Sequence, residues 1–287
     1  MRIGGPRGVL VVGADGLIGR SLAQRLKAVN CRVVATSRRS DGGEFLDLAQ
    51  GVESWIVPKG ISLAYLCAAE TSMVRCERFP AQTFKVNVSS AILLARKLVD
   101  AGAKVVFLSS NRVFDGTTPF VKADACHAPC TEYGRQKAEV ETRLLEMGPN
   151  AVIVRLTKVL DAHSGLIATW REALGRGGAV TPFHDMVMAP VPLQAAVEAL
   201  AVIGLSGGGG IYQASADRDI SYEQAARRVA QRIGADPSLI RPIASRDSTV
   251  AMEHLPAHTT LDGTRLRDEL HIPARDAWRS IDEACCR

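Results

Sequence analysis

Aromatic residues and clusters of basic residues are scarce in this sequence. Phe, Trp and Tyr make up 5% of the 287 residues, and 35 Lys and Arg stand against 30 Asp and Glu, a net charge of +5. Proteins that bind nucleic acids commonly combine a basic stripe with aromatic side chains that stack on bases. The composition therefore argues against nucleic acid as a partner, and the small positive balance suits an anionic small substrate equally well.

Long apolar runs are absent as well. The longest candidate, Val191 to Leu205, is shorter than the roughly 18 residues of a membrane-spanning helix and carries Glu198. Met1 to Arg7 bears charge but no apolar segment of the kind that a secretory signal needs. The 47% of hydrophobic and 23% of charged residues are typical of a globular protein with a full core. We expect a cytoplasmic location and no membrane contact.

The seven cysteines form no CxxC pair, and their odd number prevents complete pairing within the chain. Cys126, His127 and Cys130 have no second pair of ligands nearby, so the sequence predicts no metal site. Cys285 and Cys286 are adjacent. Reduced thiols are the expectation in the cytosol.

The first half of the chain alternates short apolar runs with amphipathic segments. Strands are predicted at 9–12, 33–36, 63–67, 105–109 and 151–156, and helices at 17–29, 81–101 and 131–147. The second half changes character, with clustered prolines, a short strand at 211–213 and a helix at 221–233. We predict an α/β fold: a doubly wound parallel-sheet Rossmann domain over residues 1–160, and a smaller, mainly substrate-binding lobe over 161–287 with a discontinuous boundary.

A glycine-rich turn follows the first predicted strand. Gly13, Gly16 and Gly19 stand three residues apart where the helix at 17–29 begins. Glycines at this place permit a tight turn and a close approach to a pyrophosphate, and the helix N-terminus offers free N–H groups to phosphates. In this context the motif predicts dinucleotide binding, although a glycine triplet alone would also suit an ordinary strand-to-helix turn.

The end of the second predicted strand indicates which dinucleotide is used. This strand runs into Ser37, Arg38 and Arg39. A carboxylate at the strand end would bind the ribose 2′-hydroxyl of NAD(H), whereas arginine pairs with the 2′-phosphate of NADP(H). The strand ends without an acidic residue, so NADP(H) is favoured over NAD(H). The alternative is that both arginines are solvated loop charges.

A tyrosine and a lysine occupy one face of the helix predicted at 131–147. Tyr133 and Lys137 are four residues apart. A nearby ammonium favours tyrosinate, so we expect it to lower the pKa of the tyrosine and make it an acid and base near neutral pH. A tyrosine and a lysine at this spacing are common on surface helices. The pair gains significance because Ser109 and Ser110 end the preceding strand, at the edge where binding sites of parallel sheets form. A serine hydroxyl there can hold a substrate carbonyl.

Together, the three glycines, Ser110 and the Tyr133–Lys137 pair resemble the extended branch of the short-chain dehydrogenase/reductases. The run from Phe107 to Gly116 is similar to the dTDP-4-dehydrorhamnose reductase group of that branch. Further matches are 67–71, 74–77 with Pro80, 86–87, 119–120, Asp124, Pro129, Arg155 and Pro190. The matches are dense over roughly residues 8–160 and sparse beyond. The resemblance implies an NADP(H)-dependent reductase that acts on a keto group of a nucleotide-activated, 4-keto-6-deoxy sugar.

The resemblance also implies a role for each matched residue. Tyr133 would protonate the carbonyl oxygen as hydride arrives, Lys137 would bind the nicotinamide ribose, and Ser110 would hold the carbonyl, with Ser109 the less favoured neighbour. Asn87 would support the proton path or the local backbone, and Asp47 would face the adenine. The implied cofactor-binding residues are Gly13, Asp15, Gly16, Leu17, Ile18, Gly19, Ser37, Arg38, Asp47, Leu48, Cys67, Ala68, Ala69 and Lys137. A homodimer through the helices at 81–101 and 131–147 would fit the same branch.

Two alternatives remain open at the level of sequence. One is a nucleotide-sugar epimerase or dehydratase, although Asn111 and Arg112 do not supply the acidic pair that a dehydratase would need after Ser110. The other is a cofactor-binding regulatory subunit without turnover. The intact Tyr133 and Lys137 favour the reductase, since a pure binder needs no proton donor.

Overall fold

A computed structural model describes residues 8–39, 43–248 and 254–285. The segment Met1 to Arg7, which bears on the expected absence of a signal, and Cys286 lie outside the described residues. Where the chain is described, no helix is long and apolar enough to cross a membrane.

Seven strands form the main sheet. They are β1 (Gly8–Val12), β2 (Arg32–Ser37), β3 (Glu44–Phe45), β4 (Ile61–Leu66), β5 (Lys104–Ser110), β6 (Ala151–Leu156) and β10 (Gly210–Ala214). The strand order is β10-β6-β5-β4-β1-β2-β3, and β1–β2, β1–β4, β4–β5 and β2–β3 pair in parallel. The predicted doubly wound α/β fold is thereby confirmed. Strands β2 and β4 lie on either side of β1, so the carboxyl end of β1 is a switch point, where ligands bind in such sheets.

Apolar runs explain the centre of the sheet. Val9 to Val12 in β1 are at most 1% exposed, because a parallel strand covered by helices on both faces buries consecutive side chains. The covering helices include α1 (Leu17–Ala28), α4 (Ser90–Asp100) and α5 (Glu132–Leu145). Leu94 and Leu98 of α4 and Leu144 of α5 belong to the same buried cluster as the strand residues.

The long helix predicted at 81–101 is interrupted. After α2 (Met73–Arg78), α3 (Pro80–Phe84) leads into a five-residue π-helical segment, Lys85–Ser89, before α4 begins. Segments of this kind are rare in proteins, and those that occur are often found at functional sites. The interruption places Asn87 in the π-helical segment rather than in an ordinary helix turn.

The chain forms two compact units, each assembled from separate stretches. The first, called the sheet unit, comprises three stretches: the described residues up to Phe114, residues 127–155 and residues 197–212. The second unit comprises Asp115–Cys126, Leu156–Ala196 and the residues from Gln213 onward. The functional division at residue 160 stays a prediction.

The second unit has a core of its own. Its elements are β7 (Lys158–Leu160), α6 (Gly165–Gly175), β8 (Val187–Met188), β9 (Pro190–Pro192), β11 (Ile220–Ser221), α8 (Tyr222–Ile233), α9 (Thr264–Leu270) and α10 (Ala277–Cys285), while α7 (Leu193–Ser206) continues into the sheet unit. Trp170 and Tyr222 meet edge to face with ring centroids 6.4 Å apart. The helix predicted at 221–233 is α8: Ser221 caps it through a capping box, and Gly234 ends it at φ +69°.

Candidate active site

The glycine turn lies at the switch point of the sheet. Gly13 has φ +82°, a conformation that favours glycine, and its N–H donates to Oγ1 of Thr36 over 3.2 Å. A Cβ on Gly13 would lie 2.8 Å from Ala68, and a Cβ on Gly19 would lie 2.3 Å from the Gly13 carbonyl oxygen. The turn therefore packs so closely against the segment after β4, and against the start of α1, that no side chain fits at Gly13 or Gly19.

The N-terminus of α1 is open to a ligand. Gly16 is its N-cap and makes no side-chain capping bond, and the first turn holds no acidic residue. The N–H groups of Leu17, Ile18 and Gly19 thus keep their capacity to bind an anion, in the positive field of a 12-residue helix. This arrangement fits the pyrophosphate of a dinucleotide.

Asp15 of the glycine turn places a carboxylate at the end of β2, where the sequence indicated no acidic group. Ser37 Oγ donates to Oδ2 of Asp15 over 2.6 Å, and Nη2 of Arg39 lies 3.3 Å from Oδ1. Arg38 is exposed beside them. The glycine turn, 22 residues earlier in the chain, brings this acidic group to a strand end that carries none of its own.

The remaining predicted cofactor residues have different surroundings. Asp47 closes a local turn, accepting from Ala49 N over 3.0 Å, and Leu48 is part of the hydrophobic core. Cys67 follows β4 and donates its N–H to the Val12 carbonyl over 3.0 Å, and burial raises the pKa of its thiol to about 12. Ala68 and Ala69 continue the same segment past the glycine turn. Their contacts with a cofactor stay predictions.

Helix α5 brings Tyr133 and Lys137 together, as predicted. Thr131 caps the helix by accepting the N–H of Gly134. Lys137 is 4% exposed, and its Nζ lies 5.8 Å from the ring centroid of Tyr133 and 4.4 Å from that of Phe107. The ammonium donates to the Leu108 carbonyl oxygen over 2.8 Å. The lysine is thus fixed between the tyrosine and the carboxyl end of β5.

The expected direction of the tyrosine pKa is wrong. Burial raises the pKa of Tyr133 above its usual value of 10, and the Arg112 guanidinium opposes this shift only in part. Burial also lowers the pKa of Lys137 to about 8, although the Glu141 carboxylate acts in the opposite direction. The cost of removing charges from water outweighs the attraction that the sequence argument considered.

Of the two serines that end β5, Ser110 is the accessible one. Ser109 is 5% exposed, whereas Ser110 is half-buried. Ser110 Oγ accepts the N–H of Arg112 over 3.2 Å and caps the short 3₁₀ turn Asn111–Val113. The turn packs on α5, since a Cβ on Gly134 would lie 2.1 Å from the Arg112 carbonyl oxygen.

Asn87 joins three parts of the sheet unit. Its Oδ1 accepts the Glu70 N–H over 2.7 Å, while Nδ2 donates to the Glu70 carbonyl over 2.9 Å and to Gln136 Oε1 over 2.8 Å. Gln136 directly precedes Lys137 on α5. These hydrogen bonds agree with a role of Asn87 in supporting the local backbone, one of the two roles that the resemblance implies for it.

Sequence reasoning missed a buried charged cluster beside the site. Arg155 Nη2 lies 2.6 Å from Oε2 of Glu141, and His127 Nε2 lies 2.8 Å from the same oxygen. The arginine and the glutamate are at most 1% exposed. Glu141 stands four residues after Lys137, and Arg155 interrupts an otherwise apolar strand, so spacing and context could have indicated the pair. The described residues contain no group of His, Cys, Asp or Glu able to hold a metal ion.

The chain is similar to proteins of known class. The RmlD substrate binding domain family matches residues 7–286. The dTDP-4-dehydrorhamnose reductase of Mycolicibacterium smegmatis is 29% identical over 280 residues, covering 94% of this chain and 82% of that protein. Methionine adenosyltransferase 2 subunit beta of Bos taurus is 25% identical over 297 residues, covering 95% and 85%. The dTDP-4-dehydrorhamnose reductase of Bacillus anthracis, solved in complex with NADP, superposes with a TM-score of 0.83 at 18% identity, covering 97% and 98%.

The fold and the site define an NAD(P)-dependent oxidoreductase of the extended short-chain type, as the sequence predicts. Within that class, the chain belongs to the RmlD substrate binding domain family. The homodimer, the cytoplasmic location and the absence of a nucleic-acid partner stay predictions.

Proposed function

We propose that this chain reduces a keto group on a nucleotide-activated sugar with NADP(H), and that the sugar is of the 4-keto-6-deoxy type. The observation that carries the proposal is the fixed Tyr133–Lys137 pair on α5 at the carboxyl end of β5, next to Ser110. The relatives named as reductases of dTDP-linked keto sugars support the substrate class.

The glycine turn and the N-terminus of α1 would hold the pyrophosphate of the cofactor, and Lys137 would reach the nicotinamide ribose. When bound, the nicotinamide supplies a hydride. The residues of the chain hold the carbonyl and provide the proton. Ser110 would donate a hydrogen bond to the carbonyl oxygen, where a fixed donor stabilises developing negative charge best.

The raised pKa of Tyr133 suits the reducing direction. A phenol with a pKa above its usual value is protonated at neutral pH, so it can donate a proton to the carbonyl oxygen. The nearby Lys137 ammonium and the Arg112 guanidinium stabilise the tyrosinate that this transfer leaves behind. Both cations therefore favour the step without deprotonating the tyrosine beforehand.

The test is NADPH oxidation at 340 nm with a panel of nucleotide-linked 4-keto-6-deoxy sugars. Tyr133→Phe removes only the phenolic hydroxyl, and we expect turnover to fall by about 10²–10⁴-fold, the usual contribution of a positioned acid. Tyr65→Phe is the matched control, because it removes the same hydroxyl from a tyrosine that has no role in the proposed mechanism. The Tyr65 hydroxyl, on β4, lies 3.5 Å from the Ala201 carbonyl oxygen. Equal turnover in the two variants would exclude Tyr133 as the acid.

A second candidate is a cofactor-binding regulatory subunit without turnover. The similarity to the bovine protein, which is named as the beta subunit of a methionine adenosyltransferase, favours it. Binding of NADPH without turnover of any keto sugar would support this candidate over the reductase. Release of a dehydrated or epimerised sugar without net oxidation of NADPH would instead support the epimerase or dehydratase.

A further inference from the structure

Asp15 brings a carboxylate to the place where β2 ends. It stands between the first two glycines of the turn, and its Oδ2 accepts the hydroxyl proton of Ser37 over 2.6 Å. On the other oxygen, Oδ1, the guanidinium of Arg39 lies at 3.3 Å. Ser37 Oγ in turn accepts the backbone N–H of Arg39 over 2.8 Å, so the strand end and the glycine turn are joined.

The carboxylate is charged and reaches solvent. The hydrogen bond from Ser37 lowers the pKa of Asp15 and, with Arg39, outweighs its partial burial. The Asp15 side chain is 33% exposed, and that of Arg39 is 70% exposed. At neutral pH this edge of the sheet unit therefore presents a negative charge next to two arginines.

The position matters because of where a dinucleotide lies in a doubly wound sheet. The adenosine ribose lies at the end of β2, beside the glycine turn, and an acidic group there accepts the ribose 2′-hydroxyl. A 2′-phosphate carries a charge of about −2 at neutral pH, which a carboxylate at the same place repels. Arg39 attracts the phosphate, but its ion pair with Asp15 partly neutralises its charge. Arg38 is exposed and has no ion-pair partner in the described part of the chain.

We propose that Asp15 sets the cofactor preference of this chain: its carboxylate accepts the ribose 2′-hydroxyl of NAD(H), opposes the 2′-phosphate of NADP(H) and partly neutralises Arg39. The inference rests on the proposed function only in that the chain binds a dinucleotide. Arg38 is then the main partner of a 2′-phosphate. Selection of NADP(H) over NAD(H) is consequently weaker than two free arginines would give.

The experiment measures binding by titration of the full chain, without any sugar substrate. The ligands are NADPH, NADH, and the fragments 2′,5′-ADP and 5′-AMP, which differ only in the 2′-phosphate. Asp15→Asn keeps an acceptor for Ser37 and removes the charge. We expect it to raise the ratio of NADPH to NADH affinity by about tenfold, and the fragment ratio likewise, as removal of one close like charge should.

Two further variants sharpen the result. Arg39→Gln removes the cation that offsets Asp15, so we expect the NADPH to NADH ratio to fall by roughly threefold or more. Asp100→Asn removes an equal charge at the exposed end of α4 and should leave the ratio unchanged within about twofold. These opposite directions also distinguish the proposal from a merely structural clasp, which would weaken both nucleotides alike.

The outcomes separate the two proposals. An unchanged ratio in Asp15→Asn, or a shift towards NADH, overturns the role of Asp15 and leaves the reductase intact. Tight binding with the expected shifts but no turnover of keto sugars supports the role of Asp15 and counts against the reductase. A wild-type chain that binds neither NADPH nor NADH overturns both.

Discussion

Two buried cations of the sheet unit have very different partners. Arg155, 1% exposed, is bound through Nε and Nη2 to both oxygens of the Glu141 carboxylate, at 2.6 to 3.1 Å. Lys137, 4% exposed, donates to the neutral carbonyl oxygen of Leu108 and lies against the rings of Phe107 and Tyr133. The first cation is held as a pair, whereas no carboxylate among the described residues binds the second directly.

The difference shows in the pKa values. Burial alone would raise the pKa of Glu141, but hydrogen bonds from His127 and Arg155 outweigh it and lower the pKa, so this carboxylate stays charged. Burial lowers the pKa of Lys137 to about 8, which brings it within reach of physiological pH. A buried pair of opposite charges suits a structural role, whereas a buried, weakly compensated cation is typical of a functional site.

The largest expected effect comes from breaking the pair at Arg155. Arg155→Leu leaves the Glu141 carboxylate buried without its main partner, so we expect a loss of about 3–5 kcal/mol in the free energy of unfolding. Urea unfolding followed by circular dichroism measures it. The double variant Arg155→Leu/Glu141→Leu, which removes both charges, should recover most of the loss. If the unfolding free energy of Arg155→Leu lies within about 1 kcal/mol of wild type, Arg155 does not compensate a buried charge on Glu141.

The opposite sign is expected at Lys137. Lys137→Met replaces a buried ammonium by an apolar chain of similar length, so we expect a gain of about 2 kcal/mol in stability at pH 7, together with loss of turnover. Function would then be maintained at the expense of stability at this position. A less stable Lys137→Met variant at pH 7 would contradict this view of the lysine.

The pH dependence of that gain follows from the pKa of Lys137, about 8 in the folded chain against an ordinary value of 10.5. Below pH 8 the amine is protonated in both states, and the full cost of burying the charge is present. Between about pH 8 and 10.5 the unfolded chain binds the proton and the folded chain does not, so wild-type stability rises with pH. The difference from Lys137→Met should therefore shrink over this range, which unfolding curves at pH 7 and pH 10 would show.

A smaller effect is expected at His127. Its side chain is 22% exposed, and its Nε2 lies 2.8 Å from Oε2 of Glu141, which Arg155 also binds. His127→Gln should lower the unfolding free energy by about 1 kcal/mol, the usual size of one hydrogen bond to a charged group that keeps another partner. Thermal unfolding would measure it beside His271→Gln, at an exposed histidine in the second unit. Equal midpoints in the two variants would assign His127 no part in holding the carboxylate.

Much of the fold was accessible from local patterns. The apolar runs at 9–12 and 151–156 predict strands that the structure places in the sheet, and the helix predicted at 221–233 is α8. The helix at 81–101 was predicted without its π-helical segment, because a helical sequence pattern does not reveal where a single turn widens. The membership of 197–212 in the sheet unit depends on packing between distant segments and was not predicted.

The sequence by itself determined the elements whose cause lies within a few residues: the glycine spacing of the turn, the i, i+4 relation of Tyr133 and Lys137, and the strands of the sheet. Only the tertiary structure decided which polar and charged side chains meet. Asp15 reaches Ser37 across 22 residues, and Glu141 reaches Arg155 across 14. It also decided the direction of the Tyr133 and Lys137 pKa shifts, because desolvation depends on every neighbour that displaces water and not on the residues next along the chain.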